Sequence, residues 1–82
     1  MDLRIKDLVT LDDDREYVIT SIAHYDGFDY CYLIDINNNE NFKFCKLVYR
    51  NGYSCLVEVE DDTILQKIIP LLYSAVKNEI MA

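Results

Sequence analysis

Two dipeptides, Asp26-Gly27 and Asn51-Gly52, constrain this chain more than anything else in it. Asn-Gly and Asp-Gly suit the type I′ turn, whose two central residues both need positive φ, and each dipeptide lies between runs rich in Tyr, Val, Ile and Phe. A two-residue turn leaves its hairpin no freedom of register. The turns therefore predict two hairpins, one joining strands at about 17–25 and 28–36, the other joining strands at about 42–50 and 53–60. Tyr25 should face Phe28, Ala23 Tyr30, Ile19 Ile34 and Tyr17 Ile36; in the second hairpin Val48 should face Cys55, Lys46 Val57 and Phe44 Val59. Taking 37–41 as a five-residue loop sets Ile36 against Phe42, Ile34 against Phe44 and Tyr30 against Val48, all on the same face as the preceding pairs. The opposite face would then align Asp35, Lys43 and Glu60, a row of alternating charge.

Beyond the strands the hydrophobic period changes. Ile64, Ile68, Leu72 and Val76 recur at four-residue spacing, with Leu65, Ile69 and Ala75 beside them, which predicts an amphipathic helix. Asp61 is placed to cap it and Asp62 to favour its first turn. Pro70 predicts a kink near Ile69 or two short helices in succession. With a further short strand at about 8–11, the 82 residues read as one α+β domain, an antiparallel meander of about five strands with a C-terminal helix on its tyrosine-bearing face.

The same pairings set Ile22, Cys31, Leu47 and Leu56 in one apolar stripe on the sheet face away from the helix. Soluble monomers seldom leave such a stripe bare. Either the segment Leu3–Leu11 covers it or a second chain does, so these four residues are the candidate interface, for a homodimer or another protein partner.

Chemical signatures are sparse. The stretch Asp35-Ile36-Asn37-Asn38-Asn39 has oxygen ligands at alternate positions, like the start of an EF-hand loop. Such a loop requires Gly at its sixth position and a bidentate Glu at its twelfth, where this chain has Glu40 and Lys46, so a hairpin loop is expected and no metal. His24, Asp29, Tyr49 and Ser54 share a predicted row, yet a serine three strands from the histidine sits about 14 Å from it, beyond any proton transfer. Asp12, Asp13 and Asp14 read as a solvated turn. Cys31, Cys45 and Cys55 lack the two-residue spacings of zinc or redox motifs and read as reduced thiols. No catalytic residue, cofactor or metal is expected, and the chain reads as no enzyme.

Fifteen acidic against eight basic side chains leave a net charge of −7, which disfavours direct contact with nucleic acid or an anionic membrane. With no signal-peptide pattern or membrane-length apolar run, a cytoplasmic location is expected. These features favour a small acidic protein–protein interaction module. The alternative is an acidic mimic of nucleic acid that occupies the basic groove of a nucleic-acid-binding protein. A small enzyme is the third and weakest reading.

The segments "DLVTLDDDREYVITSI", "YDGFDYCYLIDINNNENFKFCKL" and "LVEVEDDTILQKIIPLL" resemble the YrzB-like family of small acidic proteins of unknown function from Gram-positive bacteria. The similarity spans about Lys6 to Leu72. It implies a bacterial cytoplasmic domain and supplies no functional residues.

Overall fold

The computed structural model describes the backbone of residues 3–81 and the side chains of residues 3–75. One antiparallel sheet carries β1 (Leu8–Thr10), β2 (Glu16–Tyr25), β3 (Phe28–Asp35), β4 (Asn38–Arg50) and β5 (Tyr53–Glu58) in chain order, and α1 (Asp62–Met81) packs against it. The fold is α+β, as the turn and period signals predict.

Both X-Gly turns have the expected geometry. Asp26 and Gly27 have φ of 51° and 83°, and Asn51 and Gly52 have 52° and 83°. The pairings next to them follow: Tyr25 opposite Phe28, Ala23 opposite Tyr30, Val48 opposite Cys55 and Lys46 opposite Val57. Past the end of β5, the Val59 amide still donates to the Phe44 carbonyl at 2.8 Å.

Two registers depart from expectation. In β2 the ladder shifts between Ile19 and Ser21, so Thr20 has no partner, Ile19 faces Leu33 and Tyr17 faces Asp35. One extra residue reverses the alternation, so Tyr17 and Ile19 turn to the face opposite Tyr25 and Ala23. Apolar residues at 17, 19 and 22 fit this change of phase, with polar Thr20 and Ser21 at the break. Ser21 is fully buried, and its hydroxyl donates to the Leu72 carbonyl at 2.6 Å, tying the break to the helix.

Between β3 and β4, Ile36 and Asn37 form a tight turn in place of a five-residue loop, and Asp35 pairs with Asn38. Asp35 Oδ1 accepts from the Asn37 amide at 2.8 Å and Asn38 Oδ1 from the Glu40 amide at 3.1 Å, local bonds that draw the chain round early. Ile34 then meets Phe42, Tyr32 meets Phe44 and Tyr30 meets Lys46, two residues from the predicted pairing. A slip of two keeps every side chain on its face. It does break the predicted charge row, because Leu33 and not Asp35 now opposes Lys43, whose Nζ bonds Glu58 Oε1 at 3.1 Å.

The helix begins where predicted, with Asp61 Oδ1 accepting from the Thr63 amide at 2.8 Å. Ile68 and Leu72 are buried against Tyr30, with Ala23, Tyr25, Tyr32 and Phe44 around them, while the side chain of Val76 lies outside the described residues. Pro70 leaves α1 a single helix. It is exposed, as is Gln66, whose carbonyl would have received the missing amide and can be hydrated instead.

On the other face the sheet curls around a second core of Val9, Tyr17, Ile19, Cys31, Leu33 and Cys45. Leu3, Leu11, Ile22 and Leu56 pack against it. The N-terminal segment therefore covers this face, one of the two arrangements its apolar stripe requires.

Candidate functional site: an open seam between the first and last strands

Each strand runs antiparallel to the next, so β1 and β5 point the same way and cannot pair as antiparallel neighbours. The curl of the sheet brings them face to face across a cleft of about 320 Å³, lined by Leu8 to Asp12 on one side and Ser54 to Leu56 on the other. Among the described residues no backbone hydrogen bond joins the two strands.

The ladder shows which backbone groups face the cleft. Antiparallel pairs alternate between bonded and non-bonded. The Val59–Phe44 bond fixes the phase, so Tyr53, Cys55 and Val57 turn their amides and carbonyls to β4, while Ser54, Leu56 and Glu58 turn theirs to the open side. In β1, Leu11 donates to the Arg15 carbonyl and Asp7 accepts from the Ile19 amide, so Leu8 and Thr10 aim away from β2. The cleft thus has unpaired main-chain donors and acceptors along both walls. By contrast, no buried side-chain nitrogen or oxygen among the described residues lacks a partner.

Behind the seam, and sharing Leu11, Asp12 and Leu56 with it, lies a half-open chamber of about 200 Å³, walled by Leu11, Cys45 and Leu56. Asp12, Asp13, Lys43 and Glu58 line its polar part. Asp13 belongs to a network that closes this end of the curled sheet. The fully buried Tyr17 donates its hydroxyl to Asp13 Oδ2 at 2.6 Å and accepts from Asn41 Nδ2 at 3.1 Å. Asn41 also reaches Asp35 Oδ2 at 3.1 Å, which Arg15 contacts at the same distance. The Tyr17 hydroxyl holds the Asp13 carboxyl below its usual range, and the Asn37 amide, with Asn41, does so for Asp35. Burial, reinforced by the Asp13 carboxylate, pushes the Tyr17 phenol up. These groups bond one another and form a structural plug.

The predicted interface residues all lie on the inner face. Cys31 and Leu47 are buried, Ile22 and Leu56 half-buried; Cys31 opposes Cys45, and Leu47 opposes Leu56 one step along. Of the four, Leu56 reaches the seam. His24 Nδ1 lies 3.0 Å from Asp29 Oδ1, exposed at the hairpin end as the first turn predicts. Tyr49 and Ser54 still oppose each other, but continuing the observed register sets Asp29 opposite Leu47, so the four-residue row does not form. Asp12, Asp13 and Asp14 are exposed, and among the described residues no His, Cys, Asp and Glu side chains gather as a metal site would require. Cys31 and Cys45 are free and buried, and burial pushes each thiol up to about 12.

A further concavity, of about 360 Å³, lies between the helix and the outer sheet face. Tyr32, Phe42 and Phe44 form its floor, with Tyr32 and Phe44 stacked at 5.2 Å, and Ile69 and Tyr73 form its helical wall. No described helix is long and apolar enough to cross a membrane.

No protein-family model, curated protein or solved structure matches this chain. The YrzB-like resemblance accordingly rests on its residue patterns alone. No residue pattern marks the seam, although one signal points to it: an odd number of strands joined by tight turns leaves the first and last parallel.

Proposed function

We propose that the protein is a protein–protein interaction module that takes up an extended segment of another polypeptide as a sixth strand at β5. The observation that supports this is the outward set of main-chain groups on Ser54, Leu56 and Glu58, facing the equally unpaired Leu8 and Thr10 across an open cleft. Strand addition obtains affinity from such groups and specificity from the pockets that alternate side chains enter. A segment running antiparallel to β5 is antiparallel to β1 as well, so it bonds both walls and closes an all-antiparallel barrel with no edge left.

Selection from a displayed library of random nonapeptides tests the reading. Ser54→Pro removes one outward amide from an edge strand, a position at which proline leaves the β4 ladder whole. Selected peptides should compete with one another and lose binding to that variant. Peptides that bind the folded Ser54→Pro protein as well as the parent overturn strand addition.

A further inference from the structure

The geometry points to a basic partner segment, one whose residue opposite Leu56 is a lysine or arginine seated in the chamber behind the seam; this inference rests on the strand-addition reading. Directly opposed residues of an antiparallel pair project to the same face. Leu56 projects inward, since it opposes Leu47 and packs against the inner core. The added residue opposite it therefore enters the chamber and passes between Leu11, Leu56 and Cys45.

That wall suits an aliphatic stem and the groups beyond it suit a cation. Asp12, Asp13 and Glu58 present three carboxylates against the single ammonium of Lys43, which is already engaged with Glu58. Asp12 forms no hydrogen bond or ion pair among the described residues, and Asp13, whose Oδ1 accepts from the Arg15 amide and Oδ2 from the Tyr17 hydroxyl, is exposed and keeps a further lone pair on each oxygen. Long basic side chains bury their methylenes against apolar surface while the charged head reaches polar groups, and an ammonium or guanidinium bonded to a carboxylate makes the stronger class of hydrogen bond. An acidic residue in that place would meet a net excess of like charge. The chain's net charge of −7 attracts a basic segment over longer range as well.

Three fluorescent octapeptides of alternating valine and threonine, identical except for a central lysine, norleucine or glutamate, test this by anisotropy with the full chain. The lysine peptide should bind about tenfold more tightly than the norleucine peptide, the factor one charge-assisted contact supplies. Asp12→Asn should shrink that preference without altering norleucine binding, and added salt should do the same. On binding, the Ser54, Leu56 and Glu58 amides should gain protection from hydrogen exchange, and methylating the peptide's alternate amides should abolish the complex. Equal binding of all three peptides with seam protection overturns the basic assignment and leaves strand addition standing. No binding by any peptide, or protection at Phe42 and Tyr73 instead, overturns both. Dimers in sedimentation with the same amides protected before peptide is added replace the basic partner with a second copy of this chain.

Discussion

Deleting Thr20 should leave the protein folded, whereas deleting its near neighbour Val18 should not. Thr20 is the residue that β2 carries beyond what β3 can pair. Without it, Ile19 adjoins Ser21 in regular alternation and still meets Leu33, and Tyr17 still meets Asp35. The loss is confined to a half-buried side chain and the local bend, about 1 kcal/mol, the centre of the range for single changes. Were β2 regular, the same deletion would turn Tyr17 and Ile19 from core to solvent. Both are fully buried, so at about 1.5–3 kcal/mol each the cost would be about 3–6 kcal/mol. A domain of this size holds about 4–12 kcal/mol in all, so that difference separates a folded from a largely unfolded protein. Deleting Val18, from a regular part of the strand, supplies the comparison: Tyr17 turns out and Glu16 turns in. Thermal melts followed by circular dichroism should put the Thr20 deletion within about 8 °C of the parent, at about 4–8 °C per kcal/mol, with the Val18 deletion more than about 12 °C lower or unfolded. Equal losses in the two deletions would refute the bulge.

Two further outcomes follow from burial and charge. Cys55 should react with a thiol reagent in the native protein, while Cys31 and Cys45, buried and pushed up to about 12, should react only on unfolding; labelling of all three at one rate would contradict the inner core. Asp13 and Asp35 have lowered pKa values when folded, so their contribution to stability is present above the ordinary carboxylate value of 3.8 and is lost as pH falls through the lower folded values. Urea melts below pH 4 should therefore show a steep acid limb that flattens in Asp35→Asn, and an unchanged slope would show that the plug does not hold those carboxylates ionised.

Local chemistry determined much of this protein. Asp26-Gly27 and Asn51-Gly52 can hardly do other than turn, and they lock the residues beside them; Asp61 and the four-residue spacing of Ile64, Ile68 and Leu72 place the helix and its buried stripe. These signals act within a few residues, so the chain alone carries them. The phase of β2 beyond Thr20 is different, because Tyr17 and Ile19 are apolar and suit either sheet face. It took the Leu72 carbonyl over Ser21, and an inner core to receive the two side chains, to choose between faces. The β3–β4 register likewise depended on which side-chain oxygens of an asparagine-rich loop captured nearby amides, a competition among near-equal bonds. The seam lay furthest from the sequence: parallel outer strands follow from counting, but only the curl of the whole sheet brings Leu8 and Thr10 opposite Ser54 and Leu56, and curvature is the sum of many small twists that no single residue encodes.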